Sequence, residues 1–393
     1  MTLHLYIKRG LWLCMAMLAV VIPSYAASPQ ISVASAAFDS EGVLWVISPR
    51  DGHIWLRRSR DFGSSFTPAV RLTPEPEAIV ADGENKPKLR VTEDGGVYVS
   101  YTRARDKPYT GDIRLIRSHD GGLDFEPPVT VNDNRDQISH RFDALQAAGD
   151  GRLWLAWLDK RDRAAAQQRG EHYAGAALYA AASSNGGASI QPNVKLADHT
   201  CECCRVAMAL DTDDTPVVFW RHIFGRNTRD HAMLRLDGKS EPVRIGSEGW
   251  EIDACPHHGP ALAIGPDGLY HFAWYTQAQG QATLHYLRSR DRGENFSAAM
   301  QFGDARAQPG HPDVISLGDR VVLVWKEFDG MRSAVMTRVS TDAGRSWGPS
   351  RPVAYSQGPS DHPVLLAYRE RVFLSWASLE EGYRLFEIDF EGV

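Results

Sequence analysis

Short apolar runs recur along the whole chain, separated by turns rich in Gly, Asp and Ser. Most of these runs end on an aromatic residue, and no long stretch places apolar residues at helical spacing. Short apolar runs bounded by turn residues are typical of β-strands. Seven such runs follow one another: Val43–Val46, Val97–Tyr101, Leu153–Trp157, Val217–Trp220, Tyr270–Trp274, Val321–Trp325 and Val372–Trp376.

A second motif, an eight-residue box, lies downstream of most apolar runs. Its clearest copy is Ser340–Trp347, with others at Ser59–Phe66, Ser118–Phe125 and Ser289–Phe296 and a weaker one at Ser183–Ile190. The acidic residue can accept backbone hydrogen bonds, the glycine allows a positive φ, and the aromatic residue anchors the hairpin. These features predict a structural turn centred on Asp61, Asp120, Asn185, Asp291 and Asp342. Where the spacing predicts one more box, only Leu236–Lys239 remains.

Each full repeat therefore contains an apolar strand, a turn, the aromatic strand, a third strand, the box and a fourth strand. This order predicts a four-stranded antiparallel blade, and its repetition predicts an all-β propeller of seven units. Six blades remain an alternative if a terminal unit is irregular. The last unit, from about Ser360, stops after its third strand, so residues near Gln30 could close the ring. No linker interrupts residues 27–393, which are expected to form one domain.

The first 26 residues have the pattern of a secretory signal peptide. Lys8 and Arg9 precede the apolar run Leu11–Ile22 and a small-residue cleavage site at Ser24–Ala26. The apolar run is too short to span about 30 Å of hydrocarbon, which argues against a membrane anchor. We therefore expect an exported protein, periplasmic or secreted, with no membrane span after processing. The formal net charge of -6 argues against a nucleic-acid partner, and a monomer is expected.

Antiparallel order places the starts of the first strands and the loops between second and third strands at one edge of the propeller. That edge is rich in Arg and His, which predicts an anionic ligand. A solvated charged surface is the alternative for any single residue. The candidate ligand-binding residues are Arg141, Arg205, Arg221, Arg229 and Asp230. The long charged loop from Leu158 to about Ala174 is expected to be a lid, a partner-binding arm or a disordered segment.

Cysteine and histidine residues cluster at the starts of the fourth and fifth units. The two segments are one repeat apart, so they should lie side by side near the axis. Disulfides are the favoured interpretation in an exported protein. The alternative is a copper or zinc site, to which His311 and His362 could contribute. The candidate ligands are Cys201, Cys203, Cys204, Cys255, His257 and His258.

The boxes resemble the Asp-box (BNR) repeats of the sialidase (neuraminidase) superfamily. The resemblance implies a propeller fold and, for an enzyme, a glycoside hydrolase of sialidase type with a Tyr nucleophile assisted by Glu. Tyr275 is the candidate nucleophile and Glu327 its candidate partner. The Arg-Ile-Pro element expected in a sialidase is missing, since the first strand reads Pro29–Val33, and no arginine triad can be recognised.

Three segments resemble a branch of exported sialidase-like proteins. They are Cys201–Arg205, Trp220–Asp230 and Trp250–Pro260, and they contain a Cys-x-Cys-Cys and a Cys-Pro-x-x-Gly-Pro motif. The resemblance implies a site distinct from that of true sialidases. Three functions follow: a propeller that binds or processes an anionic glycan, a periplasmic copper- or zinc-binding protein, or a non-catalytic interaction scaffold.

Overall fold

The computed structural model describes residues 32–390, which fold into seven antiparallel sheets, the blades of a β-propeller. Within these residues six blades have four strands and the seventh has three. In every blade the strands are neighbours in chain order, so the predicted seven-unit propeller is confirmed. The predicted signal peptide (1–26) and the closing segment near Gln30 lie outside the described residues.

The first four blades contain strands β1 to β16. The first blade has β1 (Ser35–Phe38), β2 (Leu44–Arg50), β3 (His53–Ser59) and β4 (Val70–Arg71). The second has β5 (Lys88–Val91), β6 (Val97–Ala104), β7 (Gly111–Ser118) and β8 (Val129–Thr130). The third has β9 (His140–Ala147), β10 (Leu153–Asp159), β11 (Ala176–Ser183) and β12 (Val194–Thr200). The fourth has β13 (Ala207–Leu210), β14 (Pro216–Arg221), β15 (His231–Arg235) and β16 (Val243–Ile245).

The last three blades contain strands β17 to β27. The fifth has β17 (Ala261–Ile264), β18 (Tyr270–Thr276), β19 (Thr283–Ser289) and β20 (Met300–Phe302). The sixth has β21 (Gly310–Leu317), β22 (Arg320–Phe328), β23 (Ser333–Ser340) and β24 (Arg351–Ser356). The seventh has β25 (Val364–Tyr368), β26 (Arg371–Ser378) and β27 (Gly382–Ile388).

The second strand of each blade forms most of the core. These strands are packed on both faces, which explains why they read as continuous apolar runs. Their large aromatic side chains are almost completely buried between neighbouring blades: Trp157, Trp220, Trp274, Trp325 and Trp376. Truncating one such residue to Ala is expected to cost about 3–5 kcal/mol.

Aromatic side chains close the ring between the first and seventh blades. Phe38 and Phe62 of the first blade lie 5.2 and 5.4 Å, centroid to centroid, from Phe373 of the seventh. Ala34 also donates its backbone N–H to Asp361 at 3.3 Å. Packing and this hydrogen bond therefore join the two ends of the ring within the described residues.

The eight-residue boxes lie between the third and fourth strands. In each of the five copies a serine hydroxyl and a later backbone N–H donate to the side-chain oxygen of the central Asp or Asn. In the last copy, Ser340 Oγ and Ser346 N each lie 2.8 Å from Asp342 Oδ1. The equivalent serine contacts are at Asp61, Asp120, Asn185 and Asp291. These turns lie at the edge opposite to the starts of the first strands.

The long charged loop of the third blade contains helix α1 (Arg161–Gln168). Asp162 holds the helix against the sheet, because Tyr179 donates its hydroxyl to that carboxylate at 2.9 Å. The disordered alternative for this loop is therefore wrong in its central part. Within residues 32–390 no helix is both long and apolar enough to cross a membrane.

Candidate functional site

The starts of the first strands surround an open cavity of about 720 Å³ at one edge of the propeller. A second cavity, of about 630 Å³, adjoins it and shares His258 and His311. Residues before or at the first strands of the second to seventh blades all reach the larger cavity, which we call the axial cavity. Its polar lining includes Asp82, Glu84, Arg141, Lys160, Cys203, Cys255, His257 and His362.

A buried carboxylate, Glu84, lies at the base of the axial cavity. One carboxylate oxygen accepts the backbone N–H groups of Arg205 and Gly259, each at 2.8 Å. The other accepts Arg205 Nη1 at 3.0 Å and lies 3.1 Å from His311 Nδ1. Burial alone would raise the pKa of Glu84, but Arg205 and His311 lower it to about 2. Glu84 is therefore an ionised hub that ties the second blade to the fourth, fifth and sixth.

The glycine of the Cys-Pro-x-x-Gly-Pro motif is explained by this hub. A Cβ at Gly259 would lie 2.2 Å from Arg205 Cγ and 2.6 Å from Glu84 Oε2. Gly83 is similarly constrained, because a Cβ there would lie 2.6 Å from the ring of His362. Close approach of the backbone to the hub is possible only without a side chain at these positions.

A stack of aromatic rings forms the wall between the two cavities. The ring of Tyr275 lies 3.9 Å from that of His258, His258 lies 4.3 Å from His311, and His311 lies 3.5 Å from His362. Burial lowers the pKa of His258 to about 2 and also lowers the pKa values of His311 and His362. These three imidazoles are therefore neutral at neutral pH, and His311 is the one whose ring hydrogen-bonds Glu84 in the described residues.

The predicted proximity of the two cysteine segments is confirmed. Ligand atoms of Cys203, Cys255 and His257 all lie within 4.8 Å of one another, with Cys255 and His257 exposed. Behind them, Cys201 Sγ lies 3.7 Å from the sulfur atoms of both Cys203 and Cys204. In the described part of the chain all four cysteines are free, so the predicted disulfides are not confirmed.

Cys201 has an environment that favours its thiolate. Hydrogen bonds from the Cys203 and Cys204 thiols, together with the charges of Arg221 and Arg229, lower its pKa well below the usual range despite burial. Arg229 Nη1 donates to Cys201 Sγ at 3.2 Å. The same contacts and burial raise the pKa of Cys203. The fourth blade therefore holds one stabilised thiolate beside neutral thiols.

Most of the predicted anion-binding arginines bind groups inside the protein. Arg205 pairs with Glu84, and Arg221, only 1% exposed, donates to the carbonyl oxygens of Arg229, His258 and Tyr275. Arg229 donates to Ile252 O at 3.0 Å, while Asp230 accepts from Arg244 and from Gly249 N. Arg141 differs, since it lines the axial cavity and, within residues 32–390, forms an ion pair only with the half-exposed Asp82 at 3.2 Å.

The two predicted catalytic residues line the second cavity but do not contact each other. The Tyr275 hydroxyl lies 3.3 Å from Gln277 Oε1, and burial raises its pKa. Glu327 accepts Trp325 Nε1 at 2.7 Å and Asp304 N at 2.9 Å. The Tyr–Glu hydrogen bond that the resemblance implies is therefore absent among the described contacts.

Several lining residues were not identified from the sequence. Of these residues, Glu84 could have been predicted most easily, because it is the acidic residue beside Lys86 and Lys88 at the start of a first strand. Tyr109 lies in the loop between β6 and β7 and is 80% exposed at the cavity. Glu202 was also missed; its Oε2 lies 2.8 Å from Lys160 and 2.5 Å from Arg163, two residues of the charged loop that the sequence places at this edge. No local pattern marks Tyr109 or Glu202 as a member of this site.

Comparison with known proteins gives a likeness in structure only. No protein-family model and no curated protein matches the chain. The α-L-arabinanase of Penicillium chrysogenum superposes with a TM-score of 0.53 at 14% identity, covering 94% of this chain and 96% of that one. The Hadza microbial sialidase Hz136 gives 0.51 at 14% identity, covering 90% and 74%.

A third similar structure is an ulvan lyase of polysaccharide lyase family PL25, with a TM-score of 0.55 at 10% identity, covering 90% of this chain and 91% of that one. At these identities the likeness shows a shared propeller fold.

Proposed function

We propose that this chain is an exported, sialidase-like propeller that binds an anionic glycan in the axial cavity. The observation that carries the proposal is an exposed aromatic ring at a cavity that is also lined by two cations, Arg141 and Lys160. Tyr109 presents its ring at the rim, and a flat apolar ring face suits the face of a sugar. Its left-handed φ of 61° is uncommon for an aromatic residue, so the surrounding loop must hold it in place.

The charge around the cavity favours an anionic ligand. Lys160, which lines the cavity, and Arg163 farther along the same loop share a single carboxylate, that of Glu202, which leaves one positive charge without a paired anion in this contact. Arg141 adds a guanidinium whose acidic partner, Asp82, is half exposed. A carboxylate or sulfate on a sugar could bind Arg141 in a bidentate manner.

The size of the site also supports a small saccharide. Ligand pockets typically enclose about 300–1,000 Å³, and the axial cavity has about 720 Å³. The second cavity would extend the site along the stacked rings of Tyr275 and His258. The arabinanase, sialidase and ulvan lyase that share the fold are carbohydrate-active by name, which is consistent with a glycan here.

Binding is favoured over hydrolysis by the state of the candidate catalytic pair. A Tyr nucleophile needs a nearby base, but Tyr275 is hydrogen-bonded to Gln277 while Glu327 is held by Trp325 and Asp304. Both of these hydrogen bonds go to Glu327 Oε1, and neither Glu327 oxygen contacts the Tyr275 hydroxyl in the described residues. We therefore propose a glycan-binding protein, with hydrolysis as an outcome that the same experiment can detect.

Titration calorimetry with sialyllactose, oligogalacturonate and a neutral maltooligosaccharide tests the proposal. We expect an acidic saccharide to bind, and Tyr109→Ala and Arg141→Ala each to weaken binding at least about tenfold. Arg152→Ala is the matched control, because Arg152 pairs with Asp150 and Asp214 at the opposite edge. Binding of no acidic saccharide, or equal loss in the Arg152 variant, would contradict the proposal.

The same samples separate a binder from an enzyme. Release of product from a fluorogenic sialoside, lost in Tyr275→Phe, would show hydrolysis, whereas tight binding without product would support binding alone. Export is supported by the Lys8 to Ala26 pattern, and N-terminal sequencing of periplasmic protein should then begin at Ala27. A mature chain that retains Lys8 and Arg9 would contradict export by this signal.

A further inference from the structure

We propose that Cys203, Cys255 and His257 bind one monovalent copper ion at the lip of the axial cavity. This site is independent of the proposed saccharide binding, since neither Tyr109 nor Arg141 supplies a donor. The three ligand atoms come from two adjacent blades and lie within 4.8 Å of one another. Metal bonds to sulfur and nitrogen are about 2.0–2.3 Å long, so small side-chain rotations would bring all three donors onto one ion.

The donor set favours copper(I) over zinc. Thiolates are soft ligands that select copper(I), while structural zinc sites are almost always tetrahedral with four protein ligands. Two sulfurs and one imidazole suit a low-coordinate monovalent ion. The other candidate histidines, His258, His311 and His362, are instead stacked with one another and with Tyr275 in the wall between the cavities.

The site is accessible from solvent and continues inward. Cys255 and His257 are exposed, whereas Cys203 is only 4% exposed. Cys203 also belongs to the buried group with Cys201 and Cys204, whose ligand atoms lie within the same 4.8 Å limit. A copper ion entering through the two exposed donors would therefore meet a sulfur-rich second group directly behind them.

The residue that supplies the imidazole donor has an uncommon backbone conformation. His257 has a left-handed φ of 53°, a conformation that is uncommon for residues other than glycine and is often found at functional sites. Binding would replace the proton of each ligating thiol by the metal, with no change in the oxidation state of copper(I), and would release those protons to solvent.

A competition titration on the mature, reduced protein tests this assignment. Copper(I) is presented anaerobically as its coloured bicinchoninate complex, and loss of colour reports transfer to the protein. We expect transfer of at least about one equivalent to the wild-type protein. Cys255→Ser and His257→Asn should each weaken copper binding at least about tenfold, and Cys255→Ser should also reduce the thiolate-to-copper absorbance in the ultraviolet, because only Cys203 of the two sulfur ligands remains.

The control is His199→Asn, because His199 is also an exposed histidine with a left-handed φ, of 56°, but belongs to neither cysteine group. It should bind copper like the wild type, and Asn tolerates the backbone conformation at both positions. Three results would overturn the proposal: no transfer from the chelator, wild-type affinity in Cys255→Ser, or zinc that displaces copper(I) at equal concentration. Saccharide binding measured on metal-free protein reports separately on the glycan proposal.

Discussion

Individual charged residues at the axial cavity differ in how far their charge is already satisfied inside the protein. Arg205, Arg221 and Arg229 lie at the edge where the sequence places them, yet each donates to internal groups. The partner of Arg205 is Glu84, 121 residues away along the chain. Sequence pattern fixes the edge on which a residue lies, but it cannot reveal a pairing between blades. The sequence therefore predicts Arg141 as a ligand-binding residue together with three arginines whose hydrogen bonds are made inside the protein.

Glu84 should therefore be a determinant of stability. Glu84→Gln removes the negative charge that compensates Arg205 and faces two backbone N–H donors. Breaking a buried ion pair in this way typically costs about 3–5 kcal/mol, and we expect a loss of unfolding free energy of that size in urea denaturation. Asp82→Asn is the control two residues away: the residue is half-exposed and Asn can still accept the Asn85 N–H, so loss of the ion pair with Arg141 should cost less than about 1 kcal/mol. Equal losses in the two variants would contradict the hub.

Turns and strands were predictable because their determinants are local. In the box at Ser340–Trp347 every hydrogen bond of the Ser340 and Asp342 side chains joins residues two to four positions apart, so the motif itself specifies the turn. The reduced box at Leu236–Lys239 still forms a turn, in which Asp237 accepts Lys239 N and Ser240 N at 2.9 and 2.8 Å. Helix α1 was not predicted because its eight residues, rich in Arg and Ala, carry no apolar face.

The boxes should contribute to stability without contributing to ligand binding. Asp342→Ala removes hydrogen bonds from Ser340, Arg345 and Ser346, and we expect a loss of about 1–2 kcal/mol in unfolding free energy. Asp237→Ala should cost less, because the reduced box lacks the preceding serine donor. Copper and saccharide affinities should be unchanged in both variants, since the boxes lie at the opposite edge. Weakened ligand binding in a folded Asp342→Ala protein would contradict the expectation that the boxes do not contribute to the ligand sites.

At the scale of the whole molecule, the seven-bladed architecture could be predicted from the sequence. The candidate site at the axial cavity could be predicted only in part. Repetition of the aromatic strand counts the blades, and antiparallel order assigns every first-strand start to one edge. The juxtaposition of Cys203 with Cys255 follows from that order. The hub at Glu84, the rim ring of Tyr109 and the closing contact of Phe62 on Phe373 depend on packing between blades, which no local pattern encodes.

The number of buried histidines predicts that the whole propeller loses stability in mild acid. Burial lowers the pKa of His271 to about 4 and that of His231 well below the usual range. Because the fold favours their neutral forms, their contribution is complete above the unfolded pKa of about 6.5 and is lost as the pH falls toward the folded values. Each such histidine reduces stability by up to about 1.4 kcal/mol per pH unit in this range.

Urea midpoints measured between pH 7.5 and 4 should therefore fall, and His271→Asn should fall less steeply than the wild type. Asp291→Asn provides the contrast, because hydrogen bonds from Asn295 and Ser289 lower the pKa of Asp291 to about 2. Its contribution is lost only below about pH 4, so this variant should keep the wild-type slope above that pH. A wild-type midpoint that stays constant from pH 6.5 to 4 would show that these imidazoles are protonated in the folded protein.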